Sequence, residues 1–510
     1  MNDPTTTTIV SPDYSRSFFG HPRGLATLFM MEFFERFTYY TVRGMLVIFL
    51  AASATAANPG FGIDGAAAGA VYGLFAGAAY LGCVPGGWIA DRLIGQRNAV
   101  FVGGIIIAAA NFVLAIPSTP AVFYLGLGVM TIGIGLLKPN VSAVVGSLYQ
   151  GQPGARRDAG FSIFYMGINL GASIGPLTAG TIGEKWNWHL GFLCCGIVTL
   201  IGVVQFKLTE KYLGTAGLRP SSITPAERKK TWLGVGLVGL LAVAGAAMLF
   251  LGEHIPTKTQ MAWGLLIAMA AIALVFFVYV LFFAGLDGAS RRRVGVIFVF
   301  FVCAAMFWAG FEQQGSTFNT FAVENTDRSL FGSWFPDHAH PAIWYQSLNP
   351  IFIILFAPFF AWFWVALGVR NIDPSAPAKM GVGLILLGLG FLVMFGAANL
   401  VLSTHGKVGP IWLLMAYLLH TFGELCLSPV GLSNVTKLSP PAFVGRMMGT
   451  WFLGAAIGNT AAGLSGGYFA SIDAEQMPAV FMLTTLIGGG AGVVILLLSR
   501  PLRSWIGDRK

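Results

Sequence analysis

The stretch that decides the fold is MEFFERFTYYTVRGML, residues 31–46, which lies inside a long apolar run. It contains four charged residues and two tyrosines, Glu32, Glu35, Arg36, Arg43, Tyr39 and Tyr40. On an α-helix these positions fall within an arc of about 140°. The stretch therefore predicts a helix with one polar face toward a cavity and one aromatic face toward lipid or neighbouring helices.

The composition points to lipid as the surroundings of the whole chain. The 510 residues are 55% hydrophobic and only 10% charged, whereas a soluble domain carries about 25% charged residues. The net charge of +9 is explained by basic cytoplasmic loops, so no nucleic-acid partner is expected. The five cysteines lie in apolar segments without metal-ligand spacing, which favours buried thiols over a metal site.

Fourteen runs are long and apolar enough to cross a bilayer, which takes about 20 residues in a helix. They lie near 22–52, 66–93, 98–117, 120–149, 157–181, 188–207, 231–251, 261–284, 293–320, 343–368, 379–402, 410–437, 443–470 and 477–499. The pattern predicts an all-α polytopic membrane protein.

The distribution of lysine and arginine orients these spans. With the N-terminus inside, 23 of the 30 basic residues fall in inner loops or tails and four in outer loops. The outer four are Lys185, Lys258, Arg328 and Lys407, and Arg36, Arg43 and Lys138 lie within spans. Because basic residues concentrate on the cytoplasmic side, both termini are predicted to be cytoplasmic.

Short motifs in the first half of the chain recur in the second half. Lys138 and Pro139 correspond to Ser428 and Pro429, 290 residues later, and FER at 34–36 resembles FEQ at 311–313. Such echoes favour a duplicated six-plus-six transporter. The predicted segments are a tail at 1–21, a bundle at 22–207, a connector at 208–230, inserted helices at 231–284, a second bundle at 293–499 and a tail at 500–510.

The connector contains its own helix signal. Thr224, Pro225 and Glu227 form a capping box with proline at the first helical position. A helix is therefore predicted to begin there.

Charged residues inside spans are costly and usually face a cavity or one another. The acidic ones are Glu32, Glu35, Glu312 and Glu424, and the basic ones are Arg36, Arg43 and Lys138. This near balance indicates ion pairs that break and re-form, with one carboxylate free to hold a proton. A static salt-bridge cluster is the alternative, but buried ion pairs often add little net stability.

One histidine shares a helical face with a charged residue. His420 lies one turn before Glu424. It either tunes that carboxylate or bonds a backbone carbonyl group.

The sequence contains no credible enzyme signature. A phosphate-binding G-x-x-x-x-G-K-[ST] loop is absent, and the G-x-S-x-G match at 463–467 lies inside an apolar run. A hydrolase nucleophile would follow a strand instead. We therefore expect neither an enzyme nor a cofactor or metal.

Five motifs together resemble one family over nearly the whole chain. They are E-x-x-E-R-F-x-Y-Y at 32–40, LLKPN at 136–140, FYMGINLGASIGP at 164–176, FEQQGST at 311–317 and GELCLSPVGLS at 423–433. They resemble bacterial members of the proton-dependent oligopeptide transporter family of the major facilitator superfamily. The resemblance implies twelve core helices in two six-helix bundles plus two inserted helices.

The resemblance also implies a function and a set of residues. The function is import of di- and tripeptides with protons through the bacterial cytoplasmic membrane, by a protein that acts as a monomer. The implied substrate residues are Arg36, Tyr39, Tyr40, Tyr80, Lys138, Asn169, Trp308, Asn349, Glu424 and Trp451. The implied proton-coupling residues are Glu32, Glu35, Arg36 and Glu312.

Two salt bridges are implied as gates, Arg43 with Glu312 and Lys138 with Glu424. Of the two neighbouring carboxylates, Glu35 is expected to carry the proton while Glu32 orients Arg36. A related proton-coupled carrier of nitrate, an amino acid or a drug remains the alternative function.

Overall fold

The structure is a computed structural model that describes residues 18–218, 224–234, 236, 256–440 and 443–507. Within these ranges the regular structure is helical, apart from two isolated β-bridges. Ten helical stretches of this part of the chain are long and apolar enough to span a membrane. The predicted all-α polytopic membrane fold is confirmed.

The helices follow the predicted runs in order. In the first part of the chain they are α1 (Arg23–Ala51), α2 (Gly65–Leu81), α3 (Cys83–Ile89), α4 (Gln96–Leu114), α5 (Pro120–Leu148), α6 (Gly154–Gly175), α7 (Thr181–Lys185) and α8 (Trp188–Thr209). In the second part they are α9 (Lys258–Val278), α10 (Gly288–Phe311), α11 (Thr317–Glu324), α12 (Leu348–Val369), α13 (Ala376–Thr404), α14 (Ile411–Leu438), α15 (Val444–Phe469), α16 (Met477–Leu497) and α17 (Ser499–Ile506). The predicted run at 231–251 lies mostly outside the described residues.

The chain divides into two compact units that do not follow the order of the sequence. Unit 1 contains the described residues up to Thr41, Leu81–Gly175 and those of His189–Pro256. Unit 2 contains Val42–Tyr80, Pro176–Trp188 and the described residues from Thr257 onward. Helix α1 therefore contributes its first part to unit 1 and its last part to unit 2. The predicted bundles at 22–207 and 293–499 stay a prediction.

Glycines bring α6 close to α1 within unit 1. A Cβ atom at Gly171 or Gly175 would collide with the carbonyl oxygen of Phe33 or Phe37, respectively. The G-x-x-x-G spacing thus lets the two backbones touch. This contact holds the polar stretch of α1 in place along α6.

The run at 293–320 contains a break. Helix α10 ends at Phe311, a 3₁₀ turn covers Glu312–Gly315, and α11 begins at Thr317. Ser316 has φ −126° and ψ −86°, outside the helical region. The break falls within the FEQQGST motif and turns Glu312 out of a regular helix.

The predicted capping box is confirmed in the connector. The Thr224 amide donates to Glu227 Oε2 at 2.9 Å, and the Glu227 amide donates to Thr224 Oγ1 at 3.3 Å. Helical structure begins at residue 225. These two hydrogen bonds also lower the pKa of the exposed Glu227 carboxyl, because they favour its ionised form.

The start of the connector is held by an arginine of unit 1. Arg97 Nη2 donates to the carbonyl oxygens of Gly214 at 2.7 Å and Ala216 at 2.9 Å. The Arg97 amide also donates to the carbonyl oxygen of Gly217 at 2.9 Å. Backbone carbonyl oxygens of the connector therefore accept both hydrogen bonds from Arg97 Nη2.

Candidate functional site

The polar stretch of α1 builds a buried charge cluster in unit 1. Arg36 Nε lies 3.2 Å from Glu32 Oε1 and also pairs with Glu35 Oε2. All three side chains are at most 3% exposed. Within the described residues, Glu32 Oε2 and Glu35 Oε1 are buried without a hydrogen-bond partner. Each carboxylate thus has one oxygen available for a proton or a ligand.

Two predicted aromatic residues lie beside this cluster. The Arg36 guanidinium carbon lies 4.9 Å from the centre of the Tyr39 ring, a cation–π distance. Tyr39 and Tyr40 meet edge to face with ring centres 5.4 Å apart. Tyr39 is buried, whereas Tyr40 is half-buried.

Helices α5 and α6 add two further predicted residues to unit 1. Lys138 lies just before Pro139 inside α5 and interacts electrostatically with Arg36, Glu35 and Tyr40. Asn169 on α6 is buried, and its Nδ2 donates to the carbonyl oxygen of Tyr165 at 2.9 Å. The structure therefore brings Lys138 into the Arg36 cluster, while the amide hydrogen bond of Asn169 stays within its own helix.

The last part of α1 carries a second cluster, in unit 2. Arg43 Nη2 lies 3.1 Å from Glu312 Oε2, and both side chains are buried. Arg43 Nε donates to the Tyr72 hydroxyl at 3.1 Å, and that hydroxyl donates to the backbone oxygen of Glu312 at 2.9 Å. The predicted Arg43–Glu312 pair is formed.

Tyr72 was missed by the sequence reasoning. A usable signal exists, because Tyr72 and Tyr80 are the only residues with polar side chains in GAAAGAVYGLFAGAAYL at 65–81. A hydroxyl in such a helix needs a buried partner. Tyr80 is half-buried and interacts electrostatically with Tyr72.

Glu424 has a defined partner in unit 2. Asn349 Nδ2 donates to Glu424 Oε2 at 2.9 Å and lies 3.0 Å from Thr421 Oγ1. These contacts join α12 to α14. The structure thus brings together two residues predicted for substrate binding, and Thr421 is a partner that the sequence reasoning missed. The pair Lys138–Glu424 would join residues of different units and stays a prediction.

His420 bonds a backbone carbonyl group. Its Nε2 lies 3.2 Å from the Leu387 oxygen. Of the two interpretations from sequence, the backbone partner is the one observed.

Two predicted tryptophans also belong to unit 2. Trp308 on α10 has a buried indole N–H without a hydrogen-bond partner among the described residues. Trp451 on α15 is buried, and its ring packs directly against Gly431. The unpartnered donor on Trp308 is free to bond a ligand.

A carboxylate latch, centred on Glu184, was not predicted. Glu184 Oε1 accepts from the Ala342 amide at 2.8 Å and from Arg328 Nη1 at 3.0 Å. Glu184 Oε2 accepts from the Ile343 amide at 2.9 Å. The latch ties α7 to residues 328–343 within unit 2. The sequence contained one indication of this latch. Arg328 is a basic residue in a predicted outer loop, which suggests that it has an acidic partner.

Two titratable groups beside the latch have shifted pKa values. Burial acts to raise the pKa of Asp337, but the hydrogen bond and charge of Lys185 at 2.6 Å lower it overall. Burial lowers the pKa of His340, whose ring stacks on Trp344 with centres 5.9 Å apart. Burial therefore disfavours the protonated form of His340.

No group of three or more histidine, cysteine, aspartate or glutamate side chains is placed to hold a metal ion in the described part of the chain.

Comparison with known proteins gives consistent matches. The sequence profile of the POT family matches residues 97–482. The chain is 39% identical over 501 residues to the peptide transporter YePEPT of Yersinia enterocolitica, covering 96% of each. It is 35% identical over 498 residues to a di-/tripeptide transporter of Lactococcus lactis, covering 97% of this chain and 98% of that one.

A solved structure gives the same result for the fold. The peptide transporter POT in complex with sulfate superposes with a TM-score of 0.89 at 38% identity, covering 98% of each chain. The all-α fold of the described residues is thus that of a solved peptide transporter.

Proposed function

The chain belongs to the POT family, and we propose that it is a proton-coupled symporter that imports di- and tripeptides by alternating access. Two relatives are named as a peptide transporter and a di-/tripeptide transporter. The observation that carries the proposal is the cluster of Glu32, Glu35 and Arg36. It buries two carboxylates around one guanidinium and leaves one oxygen of each without a partner.

Protonation of this cluster is the coupling step. An ionised Glu35 beside Arg36 attracts the guanidinium and keeps it occupied. A proton on Glu35 removes that attraction and makes Arg36 available to a substrate carboxylate. Glu32 remains at 3.2 Å and keeps Arg36 oriented. Proton and peptide therefore each favour the state in which the other binds.

The peptide is bound by groups of opposite charge. Arg36 and Lys138 attract its carboxylate, while Glu424, held by Asn349 at 2.9 Å, attracts its ammonium group. Asn169 and Asn349 bond its backbone. The side-chain pockets are formed by Tyr39, Tyr40, Tyr80, Trp308 and Trp451. Apolar aromatic walls with few fixed polar groups suit varied side chains.

Two salt bridges act as alternating gates. The Arg43–Glu312 pair at 3.1 Å closes the outer side, and a Lys138–Glu424 pair closes the inner side. Glu312 can also take a proton, which would release Arg43. A proton and a peptide shift the equilibrium only to the extent that they bind the two states differently.

The protein is placed in the bacterial cytoplasmic membrane as a monomer with both termini inside. Contacts between loops support this orientation. The predicted inner loops of unit 1 contact one another, as in His21 Nδ1 with the Tyr149 hydroxyl at 2.7 Å and Arg156 Nη2 with the Gly20 oxygen at 3.1 Å. The predicted outer loops of unit 2 meet at the Glu184 latch.

A related proton-coupled carrier of nitrate, an amino acid or a drug is the alternative. Glu424 argues against a nitrate carrier. Nitrate has no cationic end for a carboxylate to attract, whereas every unblocked peptide has one.

Uptake of a labelled dipeptide into proteoliposomes tests the proposal. An inward proton gradient is expected to drive accumulation, and unlabelled di- and tripeptides are expected to compete. Nitrate and single amino acids serve as control competitors. Accumulation that peptides fail to inhibit would reject peptide transport.

A further inference from the structure

A polar cavity of about 410 Å³ lies in unit 2 and contains no residue of α1 in its lining. It is formed by the loop before α13, the end of α14 and the short helix α17. Its charged lining residues are Asp373, Lys379, Lys437 and Arg503. All four residues lie in predicted inner loops or at the inner ends of predicted spans. The cavity is therefore expected to face the cytoplasmic leaflet.

The cavity has an excess of positive charge. Lys379 Nζ pairs with Asp373 Oδ1 at 2.8 Å and lies 4.3 Å from the centre of the Trp364 ring. Lys437 and Arg503 form no salt bridge within the described residues. Three cations thus line the cavity with one carboxylate, and two of them have no anionic partner in the part of the chain that the structure describes.

The first turn of α13 adds further donors. Helix α13 begins after Ser375, whose side chain makes no capping hydrogen bond, and Pro377 lies in the first turn. The amides of Ala376 and Ala378 therefore lack intrahelical acceptors. The positive end of the helix dipole favours an anion at the same place.

Unit 1 contains a similarly spaced pair of charged residues whose basic member is bound by the chain itself. Asp91 and Arg97 have the same spacing as Asp373 and Lys379, 282 positions later. Around Arg97, the carbonyl oxygens of Gly214 and Ala216 supply the acceptors. The corresponding place in unit 2 is a cavity lined by cations. It has room for an anion from outside the chain.

We propose that this cavity binds the phosphate group of an anionic phospholipid headgroup. Helix α17 favours a lipid over a soluble phosphate. Arg503 lines the cavity, Leu502 is buried, and Trp505 on the same short helix is 44% exposed. Such a basic amphipathic helix with an exposed tryptophan lies in the membrane interface. None of the cavity's lining residues is among those proposed to bind the peptide.

Native mass spectrometry of the purified full chain in detergent tests the proposal. Phosphatidylglycerol and phosphatidylcholine with identical acyl chains are titrated, with inorganic phosphate in a parallel series. Wild-type protein is expected to prefer phosphatidylglycerol. The double variant Lys437→Ala/Arg503→Ala should bind it about 30-fold more weakly, which is about 2 kcal/mol, or about 1 kcal/mol per basic residue.

The matched control is Lys229→Ala/Lys230→Ala, which removes two exposed connector cations and should leave the affinity unchanged. Equal phosphatidylglycerol affinity of wild type and the Lys437/Arg503 variant would overturn the site. Binding of inorganic phosphate with no preference between the two lipids would overturn the lipid assignment.

A second variant tests whether removing a negative charge from the cavity strengthens phosphatidylglycerol binding. Asp373→Asn removes the carboxylate that occupies Lys379 and should strengthen phosphatidylglycerol binding several-fold. Weaker binding by this variant would contradict an electrostatic phosphate site, even if the double alanine variant failed to fold.

Discussion

Helix α1 carries two arginines, seven residues apart, whose surroundings differ in kind. The partners of Arg36 are Glu32 and Glu35 on the same helix. The partners of Arg43 are Tyr72 on α2 and Glu312 in the turn after α10. The salt bridges of the first cluster therefore lie within one helix, whereas the second cluster joins α1 to two other elements.

This difference assigns two tasks to one helix. The Arg36 cluster is proposed to take up the proton, while the Arg43 cluster joins α1 to α2 and to the turn after α10. Both clusters lie on one helix of 29 residues. Variants of Glu35, Arg43 and Glu312 test this division.

The largest effect is expected for Glu35→Gln. The amide keeps the size of the side chain but cannot take up a transported proton, so gradient-driven dipeptide uptake should fall to background. Counterflow exchange should remain measurable, since it needs no net proton movement. Glu32→Gln is the matched control and should retain part of the driven uptake. Equal loss of both activities in Glu35→Gln would assign Glu35 to binding or folding.

Arg43→Gln should have the next largest effect, on stability. It leaves the buried Glu312 carboxylate without its cation, which costs about 3–5 kcal/mol. Thermal unfolding in detergent measures this loss. Lys207→Ala is the control, because its pair with Glu210 is largely exposed and should contribute less than about 1 kcal/mol.

A double variant isolates the Arg43–Glu312 pair. Arg43→Gln/Glu312→Gln should be more stable than the sum of the single losses predicts, since neither buried charge is left alone. Strict additivity of the two losses in stability would contradict a direct interaction between Arg43 and Glu312.

A smaller effect is expected for Asn349→Ala. It removes the hydrogen bond that positions Glu424, and a bond to a charged group contributes about 1.5–3 kcal/mol. Dipeptide affinity, measured by equilibrium binding, should fall at least tenfold. Asn399→Ala is a matched control, because that exposed amide bonds only its own helix. Unchanged affinity in Asn349→Ala would remove Asn349 from the binding site.

The smallest effect is a pH dependence at the outer loop of unit 2. The pKa of His340 is lowered in the folded protein, so the unfolded chain takes up a proton first as the pH falls below about 6.5. Stability should therefore be full above that pH and decline below it.

The charged and titratable groups around His340 are Arg328, Lys185, Asp327 and Tyr345. His340→Phe keeps the ring beside Trp344 and should flatten this decline in thermal unfolding between pH 7 and 5. An unchanged pH profile would show that other groups cause it.

The contrast between the two arginines also shows what a sequence can reveal. The Arg36 cluster was predictable, because helical periodicity places Glu32 and Glu35 on one face with it. The membrane-spanning helices were predictable as well, because each one is a continuous apolar run and this signal is also local in sequence. Tyr72 and the Glu184 latch were not found, since their partners are distant in sequence and leave no periodic signal. The break at Glu312–Gly315 was also missed, because the short polar stretch EQQG lies within the run at 293–320, which is long and apolar enough to be read as one span.

The most direct test of the account measures protons rather than peptide. Wild-type protein is reconstituted in liposomes that contain a pH-sensitive dye, with no gradient imposed. Addition of external dipeptide should acidify the lumen, and Glu35→Gln should abolish this signal. Dipeptide entry into wild-type liposomes without acidification would contradict proton coupling by the α1 carboxylates.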